Sequence, residues 1–176
     1  MRLPFILLSL VLFSACNNAE ETAPAETASA NFKPVVPTIP DLALTAANGQ
    51  SLSLASFRGK KVFVNLWATW CGPCREEIPS IQRLQSKVDS SKTAFVMLSL
   101  DDNFEQAIKY ASNNKMTLPV YGATAALPPL FQVQGIPVTY VFNEAGELIY
   151  RKDGAFNYDT PYFTDLLAQK DTATSR

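Results

Sequence analysis

The sequence predicts an α/β fold, a central mixed β-sheet flanked by helices, and three stretches carry that expectation. Val62 to Val88 passes from alternating apolar residues of strand type (Val62, Val64, Leu66) into a helical pattern (Ile78, Ile81, Leu84, Val88). Thr93 to Leu100 is a near-continuous apolar run of strand length, as in a strand buried on both faces, and a helical stripe of Phe104, Ala107, Ile108 and Ala111 follows it. Gly135 to Lys152 reads as strand, turn, strand. Strands that alternate with helices in this way pair through right-handed βαβ crossovers.

A length of 176 residues with 47% hydrophobic content bounds the chain to one globular domain plus tails. A net charge of −1 gives no electrostatic case for a nucleic-acid partner. Residues 1–15 read as a signal peptide: Arg2 precedes the apolar stretch Leu3 to Phe13, and small residues Ser14 and Ala15 end it. The stretch is too short to span a membrane, which takes about 20 apolar residues. Small residues directly before Cys16 resemble a bacterial lipobox, although Phe13 stands where Leu is usual. That resemblance implies a lipid on Cys16, which would become the first residue of the mature chain. An acylated Cys16 leaves two cysteines to pair with no odd thiol. The alternative is an ordinary secretory signal with Cys16 unmodified.

Residues 16–34 hold Ala, Thr, Glu, Asn and Pro with almost no large apolar side chains, so a flexible tether is expected. The folded domain is expected over 35–170, with 171–176 a polar tail. Within it, Asp41 to Thr45 and Ser51 to Leu54 read as strands of an N-terminal hairpin around Asn48-Gly49. A turn at Phe57 to Lys60 enters a central strand, Lys61 to Leu66. A helix is expected from Cys71 to about Val88, kinked at Pro79, which lacks the N–H for one i→i−4 bond. After the strand Thr93 to Leu100, Asp101 to Asn103 offer helix caps, and the next helix ends near Asn113-Asn114. A short strand, Thr117 to Tyr121, and a helical turn opened by Pro128 and Pro129 precede the strand headed by Pro137. The last helix is expected over Tyr158 to Gln169, through Tyr162, Phe163, Leu166 and Leu167.

The chemistry centres on Trp70-Cys71-Gly72-Pro73-Cys74, where strand becomes helix. Two thiols at i and i+3 in a first helical turn come close enough for one disulfide. The positive end of the helix, with its unpaired N–H groups, favours thiolate over thiol. Gly72 lets the backbone turn with no side chain in the way, and Pro73 stiffens the turn. A CxxC alone also suits a zinc knuckle or a staple. Zinc wants four ligands, and the chain has no His and one other Cys, so no metal is expected. A staple around four residues constrains the unfolded chain very little. Trp67 and Trp70 suit a partly exposed lip beside the thiol. The residues favour redox chemistry, with no bound cofactor.

WCGPC after an apolar strand resembles the thioredoxin superfamily. The longer run Ser51 to Pro79 is similar to its extracytoplasmic TlpA/ResA branch of membrane-tethered thiol–disulfide oxidoreductases. The resemblance implies a thioredoxin-like fold over roughly residues 35 to 170, a span typical of one domain. It places a strand–helix insertion before the strand at Pro137 and makes the Ile136–Pro137 bond cis, against the CxxC. By the same resemblance Cys71 is the attacking thiolate and Cys74 the resolver. Trp70, Gly72, Pro73 and Ile136 form the lip of the site. Where thioredoxin has a buried Asp six residues before the first Cys, this chain has Asn65, which cannot ionise. Glu77 matches the glutamate of the branch's CxxCxxExP, one turn from Cys74, and would titrate with the thiols. Otherwise Glu77, like Glu76, only favours the helix N-terminus.

These readings lead to a monomeric protein-disulfide reductase on the outer, periplasmic side of a bacterial membrane, with apocytochrome c or metal-site cysteines as implied substrates. Reduction in an oxidising compartment needs a transmembrane dithiol donor. A thiol peroxidase is the second enzyme reading, weakened because Ala68 stands three residues before Cys71 where that class has Thr. A metallochaperone, weakened by the absence of His, and a structural lipoprotein domain with an inert disulfide are the non-enzymatic alternatives.

Overall fold

A computed structural model describes residues 35–169. The expected signal peptide, the tether with Cys16, and the tail 171–176 lie outside the described residues. Among the described residues seven strands form one mixed sheet in the order β2-β1-β5-β4-β3-β6-β7. The hairpin β1 (Ala43–Ala46) and β2 (Ser51–Ser53) turns at Gly49, whose φ of 82° is a conformation glycine adopts without strain. At the centre, β3 (Lys61–Trp67) and β4 (Thr93–Ser99) run parallel with every residue buried. β6 (Val138–Phe142) lies antiparallel to β3, and β7 (Leu148–Asp153) antiparallel to β6.

The chain steps in one direction through the sheet from β3 to β4 to β5 (Val120–Ala123). Right-handed crossovers in one direction put their helices on the same face. Accordingly α1 (Gly72–Gln85) and α2 (Phe104–Asn113) both feed the cluster built on Phe63, Trp67, Phe95 and Met97, which α3 (Pro161–Ala168) joins through Phe163 and Leu167. Residues of opposite parity, Val62, Val64, Leu66, Val96 and Leu98, form the second cluster. Ile39, Leu42, Leu54 and Phe131 cover it, the last two from 3-10 turns at Leu54–Phe57 and Pro129–Phe131.

Several boundaries move from their sequence positions, each for a local reason. The fifth strand begins at Val120 rather than Thr117, because Pro119 has no N–H for the ladder; its carbonyl accepts the Met97 N–H at 3.1 Å. The first helix starts after Cys71, which is its N-cap, and runs through Pro79 to Gln85. The last helix starts at Pro161, the favoured first helical position, and not at Tyr158. Tyr158 instead sits in the preceding loop with its ring fully buried between Phe63 and Phe163.

Topology then brings three chain segments to one end of the sheet. β3 and β4 finish together, with Trp67 opposite Ser99, and antiparallel β6 begins there, with Leu66 opposite Val138. The residues after Trp67, after Ser99 and before Val138 therefore converge.

Candidate active site

Cys71 and Cys74 form a disulfide across the first turn of α1, with Cα atoms 5.3 Å apart, inside the range such bonds need. The Cys74 N–H donates to Cys71 Sγ at 3.2 Å, so the first sulfur takes one of the free donors at the helix start. Cys71 keeps 6% of its surface exposed and Cys74 none. An incoming group can therefore reach the first sulfur and not the second. Cys71 Sγ also lies 3.7 Å from the Ile136 carbonyl oxygen, and the Ile136–Pro137 bond is cis. Ile136 thus lies at the first sulfur, and Pro137 follows it in the chain.

The lip is simpler than the sequence implied. Trp70 is exposed, but Trp67 is fully buried and packs on Tyr110 at 5.5 Å. As the last residue of β3 it shares the parity of Phe63, which faces the helices. Gly72 has ordinary φ, and a Cβ there would meet nothing within 4 Å. The turn does not require glycine; its absent side chain leaves the outside of the disulfide open. Pro73 lies in the first turn, as expected. Beside the disulfide, Trp70, Leu100, Val133, Gln134, Gly135 and Ile136 line a hollow of about 460 Å³.

Glu77 and Asn65, which the sequence shows twelve residues apart, are directly joined. Asn65 Nδ2 donates to Glu77 Oε1 at 2.7 Å and to Thr139 Oγ1 at 2.9 Å; Thr139 is Asn65's register partner on β6. The other carboxylate oxygen, Oε2, accepts the Phe156 backbone N–H at 3.0 Å. Burial pushes the Glu77 carboxyl up from its ordinary 4.5 to about 7, against the downward pull of the Asn65 and Phe156 hydrogen bonds. A cleft of about 340 Å³ lined by Glu76, Glu77, Pro79, Ser80, Arg83 and Ala155 to Asn157 gives this carboxyl a way to solvent. Glu77 is thus a buried acid poised near neutrality, whereas Glu76 is exposed on the same helix.

Sequence reasoning missed the groups that hold the Asn65–Glu77 pair, Thr139 through Asn65 and Phe156 through Glu77. Thr139 and Phe156 lie 62 and 79 residues further along the chain, and Phe156 acts through its backbone, which no side-chain motif reveals. It also missed Asp101 as a site residue. The Asp101 carboxylate accepts from the Thr69 N–H and hydroxyl on the turn that leads to Cys71.

A thioredoxin-like sheet, a CxxC disulfide heading the first helix and a cis-proline beside it define a thioredoxin-fold dithiol–disulfide protein. The chain belongs to the Redoxin family, whose model matches residues 30–167. It is 34% identical over 110 residues to "Thioredoxin-like protein YneN" of Bacillus subtilis, covering 61% of this chain and 64% of that one. It is 28% identical over 123 residues to "Thiol-disulfide oxidoreductase ResA" of Oceanobacillus iheyensis, covering 68% and 64%. The chain thus spans a little under two thirds of the length of these relatives. The crystal structure of StoA from Bacillus subtilis superposes with a TM-score of 0.58 at 25% identity, covering 69% of this chain and 93% of that one. The resemblance to the TlpA/ResA branch is borne out.

Proposed function

We propose that this chain is a thiol–disulfide oxidoreductase that reduces disulfides of extracytoplasmic proteins through Cys71 and Cys74. The observation that carries this reading is the Cys71–Cys74 disulfide at the α1 N-terminus, with only its first sulfur reachable beside cis-Pro137. In the reduced form the Cys71 thiolate attacks one sulfur of a substrate disulfide. An S–S bond forms between them, and the substrate's second sulfur leaves as a thiolate. Cys74, once deprotonated, attacks Cys71 Sγ. That closes the Cys71–Cys74 bond and releases the substrate's first sulfur, so two electrons have passed to the substrate. Glu77, with its pKa near 7, is the group suited to take the proton from Cys74, one helical turn away.

The direction of electron flow rests on the Gly-Pro between the cysteines, which resembles reducing thioredoxins. Apocytochrome c or metal-site cysteines are the proposed substrates, and a transmembrane dithiol protein is the proposed electron donor. The protein is proposed to work as a monomer held to the outer face of a bacterial membrane by lipid on Cys16. Among the described residues no helix is long and apolar enough to cross a membrane.

The reduced protein should reduce insulin disulfides, and its reduction potential should lie near about −270 mV rather than near the −120 mV of a strong oxidant. A potential at the oxidising end would overturn the reductant reading and leave exchange itself standing. For the anchor, Cys16→Ala should move the protein from the membrane to the soluble extracytoplasmic fraction in cell fractionation. Full membrane retention of that variant would refute lipid attachment at Cys16.

A further inference from the structure

We infer that Asp101 is a positioning residue for disulfide exchange with protein substrates, its carboxylate fixing the turn that presents Trp70. The inference rests on the exchange activity proposed above and not on the direction of electron flow. Both Asp101 oxygens accept the Thr69 N–H at 3.2 Å. Oδ1 also accepts the Thr69 hydroxyl at 2.6 Å, and Oδ2 the Ser99 hydroxyl at 2.8 Å. The Asp101 N–H in turn donates to Ser99 Oγ at 3.1 Å. One residue earlier, the Leu100 N–H donates to the Trp67 carbonyl at 2.8 Å. The first residues past β4 are thereby fastened to the first residues past β3, where the ladder between those strands has ended at Trp67 and Ser99.

Hydrogen bonds to an ionised carboxylate are the strong ones, and a half-buried group is screened less than an exposed one. Trp70 is 67% exposed, so its direction is set by the backbone of the turn and not by packing around its ring. Cys71 is held separately, by its N–H to the Ala68 carbonyl at 3.1 Å and by its place as the N-cap of α1. Loosening Thr69 therefore displaces Trp70 more than it displaces the sulfur. Leu100, beside Asp101, lines the same hollow as Trp70 and Ile136, so the carboxylate holds two walls of the surface a protein substrate would meet. A small disulfide needs only the sulfur.

The test compares full-length wild type, Asp101→Ala and Asp101→Asn, each reduced, against insulin and against 5,5′-dithiobis(2-nitrobenzoate). Asp101→Ala should raise KM for insulin about tenfold, the worth of one charge-assisted hydrogen bond, with kcat and the small-disulfide rate little changed. Acrylamide quenching of the exposed indole should increase with it. Asp101→Asn keeps an acceptor for Thr69 and a partner for Ser99 but loses the charge, and should raise KM for insulin less than Asp101→Ala does. If Asp101→Ala does not fold, Thr69→Val removes one of the bonds and keeps the turn's N–H; it should give a smaller rise in KM and in quenching. Kinetics and quenching equal to wild type in folded Asp101→Ala, or in Thr69→Val where Asp101→Ala does not fold, would overturn the inference. So would equal losses toward both disulfides, which mark general destabilisation. A wild type that reduces neither disulfide would overturn the exchange activity itself and the inference with it.

Discussion

Cys74→Ser should accumulate a mixed disulfide between Cys71 and its substrate, and Cys71→Ser should trap almost nothing. With the resolving thiol gone, the first exchange product has no internal route to release. The structure separates the two cysteines by access: Cys71, beside Ile136, keeps some exposed surface, whereas Cys74 in the first turn of α1 has none. Turnover in insulin reduction should fall to the dithiothreitol background in both variants, since each removes one half of the two-electron couple. Non-reducing gels and mass spectrometry of affinity-purified Cys74→Ser would show the adduct and identify its partners. A reversed pattern, with adducts on Cys71→Ser alone, would mean that Cys74 is the attacking residue and that the oxidised geometry misleads about access.

Glu77→Gln should remove a pH dependence that the wild-type disulfide form carries between pH 4.5 and 7. The Glu77 pKa is raised on folding, from 4.5 to about 7, so the native state binds the proton more tightly than the unfolded chain. Its favourable contribution is complete below pH 4.5 and is lost as pH rises through 7. At about 1.4 kcal/mol per pH unit, the wild type should lose about 3 kcal/mol across that window relative to Glu77→Gln. Urea unfolding of both proteins at pH 5 and pH 8 measures the difference; parallel pH profiles would show that Glu77 titrates as an ordinary surface acid. In the reduced protein the ionised carboxylate, one helical turn from Cys74, opposes a second negative charge. Alkylation of the thiols should therefore be faster in Glu77→Gln than in wild type above pH 7. Superimposable alkylation curves from pH 5 to 10 would reduce Glu77 to a residue that only holds its hydrogen-bond partners in place.

Much of this was legible along the chain because the decisive signals are local. Val62 to Leu66 alternates and Thr93 to Leu100 does not, which is enough to place two central strands. Cys71 and Cys74 fall within one helical turn, so helix geometry brings them close enough to pair. The cis bond at Ile136–Pro137 came only through family resemblance, and the structure bears it out. Parity and burial that depend on partners far away are not legible along the chain. Trp67 and Trp70 look equivalent in sequence, yet one closes the core and the other faces solvent, because β3 ends between them. Tyr158 opens the last helix expected from the sequence, but packing against Phe63 and Phe163 draws it into the core from a loop.

By itself, then, the sequence determined the α/β class and the CxxC at a strand–helix junction, whereas the contrast of Asn65 with thioredoxin's buried Asp came through family resemblance. Each of the first two is written in residues within a few positions of one another. Only the tertiary structure decided which groups surround Glu77 and Asp101. Asn65 meets Glu77 and Thr139 because β3, α1 and β6 are packed together. Asp101 meets Thr69 because two parallel strands end side by side. A carboxylate's role is set by its desolvation and by the donors around it, and both come from segments that touch only once the chain has folded.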